Sequence, residues 1–348
     1  MRRPGGKAVP ILDATHDFAH AVEDDKAWSE SYYFNGYDPA VDAGLFTRIG
    51  VRPNEGTIDV ILSVWLPGDR IAIVRGVRPQ AVMTDDDLDV AGVRYTRIQP
   101  TSTWRITASA EAEVLDLPAA LPEPDDLGDG DTATARLGLD LTFSALTPAI
   151  GTDGLARDER ADDASAAAAT TVGRGHFEQA GSWSGTVTLD GEEWLLDPAS
   201  ARGNRDKSWG PRRWGGPQMW RWFSVNIDDG THFGGIRIGT PAGDLHRGWV
   251  WRDGEATSIR RWDVHSELAD DGVTHRVTNL RATDKRGRVH ELRGEILRVH
   301  GMPRRTGTRF TVVNEGLARW TYEGRTGYGI SEYLHQLDDR GRPLVPIE

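Results

Sequence analysis

An all-β fold of antiparallel sheets is predicted by three features of this sequence: alternating apolar residues, frequent turn signals and the lack of a repeated helical pattern. The runs 57–66, 137–145 and 183–189 each alternate apolar residues with others, which places the apolar side chains on one face of a strand. The 40 glycines, several of them in Asp-Gly or Pro-Gly pairs, supply turns between short strands. Such strands form sandwiches or barrels, and a doubly wound α/β fold is disfavoured.

Each run defines its own apolar face. In chain order these faces hold Ile58, Val60, Leu62, Val64 and Leu66; then Leu137, Leu139, Leu141, Phe143 and Ala145; then Trp183, Gly185, Val187 and Leu189. The run 220–227 differs, with Trp220, Trp222, Ser224 and Asn226 on one face and Phe223, Val225 and Ile227 on the other. Because both of its faces are largely apolar, this strand is predicted to be buried on both sides.

The chain divides near residues 151–171, which are polar, then Ala-rich, with no aromatic residue. This segment reads as a linker or a short helix. It separates two strand-rich halves of similar size, an N-terminal domain of residues 1–165 and a C-terminal domain of residues 172–348. Each half is long enough for a closed barrel, with ligands held inside the barrels or between them.

Composition excludes several classes of function. The formal net charge of −12 argues against general affinity for nucleic acid or anionic membranes. The absence of cysteine removes disulfides, thiol catalysis and thiolate–metal sites. No window is long and apolar enough for a membrane span, and the N-terminus lacks the apolar run of a signal peptide. The default expectation is a soluble cytoplasmic protein, with self-association into a homo-oligomer left open.

Neither a cofactor nor a metal is expected. The sequence has no phosphate-binding Gly-Lys-Ser/Thr loop and no Gly-x-Gly-x-x-Gly after a strand, so nucleotide binding is not indicated. Residues 181–185 read Gly-Ser-Trp-Ser-Gly, which is not a nucleophile elbow. His16 and His20 have i,i+4 spacing, but without a third ligand.

The segment 202–214 (RGNRDKSWGPRRW) is the strongest indication of a site. It lies among nine of the thirteen tryptophans, those between Trp183 and Trp262. Tryptophan side chains bury large apolar areas and line small-molecule pockets together with a few polar groups. We therefore expect substrate contacts from Trp209, Trp214, Trp220, Trp222, Ser224, Asn226, Ser208 and Tyr328.

Five segments together resemble a known family. They are residues 28–39, 46–56, 175–179, 203–214 and 314–335, and they are similar to the double-calycin group of carotenoid 1,2-hydratase, AttH-like proteins, kievitone hydratase and tocopherol cyclase, in particular to a largely uncharacterised bacterial branch. The resemblance implies two lipocalin-like antiparallel barrels packed together, few short helices, and a hydrophobic substrate enclosed by them. The group includes hydratases, cyclases, pericyclic catalysts and members without known activity.

One position departs from the family pattern. The related branch usually reads Arg-Asp-His-Ser-Trp-Gly, and Lys207 stands at the histidine position. Imidazole exchanges protons near neutral pH, whereas lysine is normally a fixed cation. If the family histidine is an acid/base group, this chain uses another residue or lacks that step.

Two carboxylates are candidate proton donors. Asp206 in an apolar pocket would have its pKa raised by burial; alternatively, it is a turn carboxylate paired with Arg202, Arg205 or Arg212. Glu332 shares a strand face with Tyr328, Ile330 and Leu334, so it is functional, salt-bridged or, if that face points outward, solvated.

His176 and Glu178 share a strand face by alternation. The carboxylate would orient and charge the imidazole, which makes an acid/base pair; the alternative is a structural hydrogen-bonded pair at a domain border. Arg48 and Arg52, beside the turn 54–56, are expected to form strand-end salt bridges.

The sequence predicts a cofactor-independent acid/base enzyme acting on a hydrophobic isoprenoid, lipid or polyketide-like substrate. The reaction is hydration or dehydration, isomerisation or cyclisation at a C=C bond through a protonated state. Asp206 or Glu332 donates the proton, indole faces of Trp220 and Trp222 shelter the cation, and His176 with Glu178 positions water or removes a proton. The alternative is a non-catalytic carrier of a hydrophobic small molecule.

Overall fold

The computed structural model describes residues 9–117, 133–154, 172–306 and 309–348. The described chain forms an antiparallel all-β structure, as predicted, with single 3-10 turns at Ala14–Asp17 and Pro53–Glu55. The strands before residue 212 are β1 Trp28–Asp38, β2 Ala43–Arg52, β3 Thr57–Leu66, β4 Arg70–Pro79, β5 Asp89–Val90, β6 Val93–Gln99, β7 Thr103–Asp116, β8 Ala133–Ala145, β9 Ile150–Thr152, β10 Gly175–Leu189, β11 Glu192–Leu196 and β12 Arg202–Pro211. The remaining strands are β13 Met219–Asp228, β14 Thr231–Thr240, β15 Gly243–Arg252, β16 Glu255–Leu268, β17 His275–Asp284, β18 Val289–Thr306, β19 Arg309–Tyr322 and β20 Arg325–Leu337.

The first twelve strands form one sheet that also closes on itself. Pairing runs from β10 through β12, β1, β2, β3 and β4 to β7. Strand β8 then pairs with both β7 and β10, which completes a ring of eight strands. The remaining eight strands, β13 to β20, form a second closed barrel in sequential order. Two barrels of this kind are the architecture that the family resemblance implies.

The division between the two sheets falls between Pro211 and Met219. The domain boundary expected from the sequence lies earlier, at residues 165–172, and would assign β10, β11 and β12 to the C-terminal half. These strands instead close the first barrel, because β12 pairs with β1 over its whole length. Most of the expected linker, residues 155–171, lies outside the described residues.

The alternating runs face the first barrel's interior, as predicted. Leu62, Leu139 and Val187 belong to one buried apolar cluster there. Strand β13 is buried on both faces except at its last residue, also as predicted. Phe223, Val225 and Ile227 point into the second barrel, whereas Trp220 and Trp222 point outward, against the first barrel.

A third apolar cluster therefore joins the two barrels. It combines Tyr33, Phe46 and Trp65 of the first barrel with Trp220, Trp222 and Leu334 of the second. The segment 202–211 forms strand β12 rather than a turn. Within the described ranges, no helix has the length and apolar character needed to cross a membrane.

Candidate functional site

Two rows of cross-strand neighbours face each other where the barrels meet. On the first barrel, Glu178 (β10), Asp206 (β12) and Tyr33 (β1) stand side by side in register. On the second, Trp222 (β13), Glu332 (β20) and Glu315 (β19) form the matching row. Cross-strand neighbours have Cβ atoms about 4.5–5.5 Å apart, so each row is a compact line of functional groups.

A hydrogen bond at each end joins the row on the first barrel to the row on the second barrel. The indole N–H of Trp222 donates to Glu178 Oε1 at 2.7 Å. At the other end, the Tyr33 hydroxyl donates to Glu315 Oε2 at 3.1 Å. Because the outer members are paired across the interface, the middle members, Asp206 and Glu332, occupy facing positions.

The carboxyl groups of Glu315 and Glu332 are cross-strand neighbours that lie close enough to interact directly. Burial raises the pKa of Glu315 well above its ordinary value, and the neighbouring charge of Glu332 raises it further. Burial also raises the pKa of Glu332, although Glu315 and the Trp220 indole oppose this effect. Two buried carboxyl groups in contact repel each other when both are ionised, so this arrangement favours a protonated member.

His176 lies beside the other two carboxylates. Its Nε2 atom is 3.2 Å from Asp206 Oδ2 and 3.6 Å from Glu178 Oε1. Burial alone would lower the pKa of His176, but the hydrogen bond and charge of Asp206, with the charge of Glu178, outweigh it and raise that pKa. Burial raises the pKa of Glu178 to about 7, although His176 and the Trp222 N–H act against it.

Glu178 is held by two indoles and a glycine. Trp249 donates to its second oxygen at 2.9 Å, which completes the pair begun by Trp222. Gly234 faces this carboxylate, and a Cβ at that position would overlap Glu178 and lie 2.6 Å from the Trp249 ring. The absence of a side chain at residue 234 therefore makes room for the acid.

Several of these groups border open space although they lie deep between the barrels. The His176 side chain keeps 34% of its surface accessible and that of Asp206 keeps 20%, whereas Glu178 keeps 2%. Glu332 is also partly accessible, while Glu315 behind it is buried. His176, Asp206 and Glu332 are thus the acid/base groups of the two rows and of their immediate neighbours that keep accessible surface.

One of the two alternatives for Asp206 was a turn carboxylate paired with Arg202, Arg205 or Arg212. In the structure Arg202 pairs with Asp229 and Arg205 pairs with the buried Asp17 at 2.7 Å. Asp206 lies instead in the middle of a strand, and its hydrogen-bond partner is His176. The alternative of an outward, solvated Glu332 does not hold either, because that side chain contacts Trp220 and Glu315 between the barrels.

Lys207 lies on the opposite face of its strand from Asp206. Its Nζ atom is 2.7 Å from Glu30 Oε1, with both side chains fully buried, and it donates to the backbone oxygen of His16 at 2.8 Å. The residue at the family's histidine position thus belongs to a buried ion pair inside the first barrel, away from the row of acids.

The other predicted substrate contacts fall in three places. Ser208 accepts a hydrogen bond from Arg212 at 2.9 Å, and Trp214 lies beside Arg212 at the edge of the interface. Trp209 points away from the interface and stacks on His20 with ring centroids 3.8 Å apart.

Ser224, Asn226 and Tyr328 continue the outward face of the second barrel beyond the acids. Asn226 and Tyr328 line a groove of about 510 Å³ between the barrels. His176, Asp206 and Glu332 are not among that groove's lining residues. Ser224, two residues before Asn226 on the same strand face, is buried. The predicted contacts therefore do not converge on one centre.

Sequence reasoning missed Glu315 and Trp249 as members of this cluster. Glu315 lies in Asn-Glu-Gly, which reads locally as a turn, yet it sits within strand β19. The available signal was the alternation around it, since Val313 and Leu317 share its face.

The whole chain can be compared with known proteins. The model of a family described as a domain of unknown function (DUF7064) matches residues 13–337. This chain belongs to that family. A comparison with curated proteins finds no match. No group of three or more potential ligands in the described part of this DUF7064 chain is arranged to hold a metal ion.

Three solved structures share the fold of this DUF7064 protein. CghA with Sch210972 has a TM-score of 0.55 at 15% identity, covering 89% of this chain and 88% of its own. An AttH-type protein from Nitrosomonas europaea has a TM-score of 0.53 at 13% identity, covering 90% and 96%. Kievitone hydratase from Nectria haematococca has a TM-score of 0.54 at 12% identity, covering 97% and 96%. At these identities the likeness shows the double-barrel fold alone.

Proposed function

We propose that this protein is a cofactor-independent acid/base enzyme that protonates a C=C bond of a hydrophobic substrate held between the two barrels. The observation that carries the proposal is the pair of neighbouring carboxyl groups of Glu315 and Glu332 between the barrels, whose raised pKa values favour a shared proton. A carboxylic acid that stays protonated at neutral pH is the group such chemistry needs. One of the three structural neighbours is named a hydratase, which agrees with this class of reaction.

Glu332 delivers the proton in this mechanism, because it borders the open space while Glu315 lies behind it. Its O–H bond breaks as a C–H bond forms on the substrate, which leaves a carbocation and one additional negative charge on the pair. Both carboxyl groups of the pair are ionised after this transfer, and the Tyr33 hydroxyl, which donates to Glu315, stabilises the added charge. The faces of Trp220 and Trp222 flank the cation, and indole faces stabilise cations by about 0.5–2 kcal/mol.

His176 accepts the proton released in the second half of the reaction. In hydration this proton comes from the water that captures the cation. In isomerisation or cyclisation it comes from a carbon next to the cation. Asp206 hydrogen-bonds the imidazole and balances its charge. Return of the proton to the carboxyl pair closes the cycle, so no oxidant, metal or cofactor enters.

Deuterium transfer tests the proposal without knowledge of the natural substrate. Purified protein is incubated in D2O with lycopene, squalene, geranylgeraniol and all-trans-retinoic acid, and mass spectrometry measures deuterium in carbon-bound positions. We expect incorporation by the unmodified protein into at least one of these alkenes. Glu332→Gln and Asp206→Asn should lower the rate by about 10²-fold or more, the usual contribution of a positioned acid or base.

Matched controls remove a carboxylate elsewhere on the second barrel. Glu267→Gln and Asp263→Asn change partly exposed acids and should leave the rate unchanged. If Glu332→Gln and Asp206→Asn both keep the full rate, the mechanism is excluded. A bound, unmodified alkene in native mass spectrometry without any deuterium transfer would instead identify a carrier.

A further inference from the structure

The strongest unassigned feature is a group of arginines beside the acids. Arg48 and Arg52 project from β2 toward the second barrel, Arg212 follows β12, and Arg304 comes from β18. Three of their guanidinium carbons lie near one indole ring, that of Trp214, at 5.8 Å (Arg48), 5.6 Å (Arg212) and 5.3 Å (Arg304) from its centroid. We call these four arginines with Trp214 the arginine cluster.

Carboxylates within the arginine cluster do not balance its charge. Asp59 pairs with Arg48 at 2.8 Å and with Arg52 at 3.5 Å. Arg212 donates to the neutral Ser208 hydroxyl and feels the charges of Asp206 and Glu332 at longer range. Burial and the nearby Arg48 charge lower the pKa of Arg212 to about 10. Asp59 thus contacts two of the four arginines directly, whereas Glu55, Asp206 and Glu332 act on the cluster at longer range.

Three N–H donors of the cluster are buried without an acceptor among the described residues. They are Nη2 of Arg48, Nη2 of Arg52 and Nε1 of Trp214. The side chains of the two arginines keep only 13% and 12% of their surface accessible. A buried donor without a partner costs free energy that an added acceptor recovers. Gly50 leaves room for this arrangement, since a Cβ there would overlap the Arg48 guanidinium.

The cluster adjoins the acids through shared strands. Arg48 is the register neighbour of Tyr33, and Tyr33 in turn contacts Glu315. Arg212 lies 6.0 Å from the ring of Trp220, the indole that donates to Glu332. A single substrate molecule could therefore place an anionic group at the arginines and its apolar part against Trp220.

We propose that the arginine cluster binds a carboxylate of the hydrophobic substrate, which makes the substrate a lipophilic acid rather than a neutral hydrocarbon. Guanidinium groups bind carboxylates through paired N–H···O contacts, and the unpartnered donors of Arg48 and Arg52 supply them. This inference depends on the proposed function only in placing the substrate between the barrels.

Binding of acid and alcohol pairs tests the inference. Quenching of tryptophan fluorescence or calorimetry measures Kd for all-trans-retinoic acid against all-trans-retinol, and for dodecanoic acid against dodecanol, at neutral pH. We expect each acid to bind about tenfold or more tightly than its alcohol, the effect of hydrogen bonds to a charged group. The preference should weaken as salt concentration rises.

Variants locate the preference. Arg304→Gln changes an exposed residue and Arg48→Gln a largely buried one, and each should remove most of the preference for the acid. Arg105→Gln, which deletes an exposed charge on β7, should retain it. Equal Kd values for acid and alcohol, no binding of either acid, or a preference that survives both cluster variants would overturn the inference.

Glu332→Gln separates this inference from the proposed function. It should keep the preference for the acid, because the arginine cluster is intact, while it loses deuterium transfer. A preference for the acid with normal deuterium transfer by Glu332→Gln would refute only the mechanism. Loss of deuterium transfer without any preference for the acid would refute only the carboxylate subsite.

Discussion

At the scale of single residues, Glu315 shows how much a side chain's chemistry depends on its neighbours. In the sequence it stands in Asn-Glu-Gly, a combination typical of exposed turns. In the structure it is buried within a strand, accepts a hydrogen bond from Tyr33 and lies beside Glu332. These contacts follow from the second barrel's register and from docking of the first barrel, and neither can be seen in a short stretch of sequence.

Glu315→Gln is predicted to change how stability depends on pH. A carboxyl pKa that is raised in the folded protein stabilises fully below the unfolded pKa, and the contribution is lost as pH rises toward the folded pKa. Each pKa unit corresponds to about 1.4 kcal/mol. Glutamine keeps a side chain of similar size beside Glu332 but cannot ionise. Calorimetry should therefore show a higher Tm than the unmodified protein at pH 9, by about 2–4 °C per kcal/mol, and little change at pH 4.

A second residue-scale prediction concerns the buried pair of Lys207 and Glu30. Lys207→Met leaves the Glu30 carboxylate buried without its cation, which typically costs about 3–5 kcal/mol. Chemical denaturation should show this loss, and the double variant Lys207→Met with Glu30→Gln should recover most of it. Lys285→Met, at an exposed position, is the control. A single variant as stable as the unmodified protein would show that Lys207 does not compensate Glu30.

At the scale of single elements, strand alternation is the most informative feature of the sequence. It correctly predicted the inner faces of β3, β8 and β10, and the burial of β13 on both sides. Alternation does not reveal what covers an outer face. Alternation therefore placed Trp220 and Trp222 on the outer face of β13, but it could not predict that they hydrogen-bond to Glu332 and Glu178.

Gly203 supports a prediction about how strands β1, β10 and β12 fit together. A Cβ at this position would overlap the backbone oxygen of Asn35 and lie 2.6 Å from Trp183 Nε1, which donates to that same oxygen at 2.8 Å. Gly203→Ala should destabilise the protein by about 1–3 kcal/mol, as overpacking does. Gly230→Ala, whose Cβ would be 3.8 Å from its nearest neighbour, should change stability by less than about 0.5 kcal/mol. Denaturant unfolding compares the two, and equal stabilities would contradict this packing.

At the scale of the whole molecule, the sequence predicted the fold better than the site. Two antiparallel barrels followed from alternation, turn residues and the family resemblance, and both barrels are closed. The predicted boundary at residues 165–172 lies before the observed division between the two sheets, because strands β10 to β12 pair within the first barrel. The site could be predicted only in part, since its two rows come from six strands that are distant in sequence. His176 and Glu178 were predicted as a pair and Asp206 and Glu332 singly, and packing of the two barrels brings the four side chains together.

The central claim is that the facing barrels enclose a carboxyl pair that holds a proton at neutral pH. Infrared difference spectroscopy observes this directly, because the C=O stretch of a protonated carboxyl group is separate from the carboxylate bands and shifts in D2O. The spectrum of the unmodified protein at pH 7.5 is compared with those of Glu315→Gln and Glu332→Gln, with Glu267→Gln as the control.

We predict a protonated-carboxyl band at this pH that is lost or displaced in both site variants and unchanged in the control. Its intensity should fall as the pH is raised toward the pKa of the pair. A spectrum without the band at pH 7.5, or with a band that neither Glu315→Gln nor Glu332→Gln affects, would contradict the shared proton and the acid catalysis based on it.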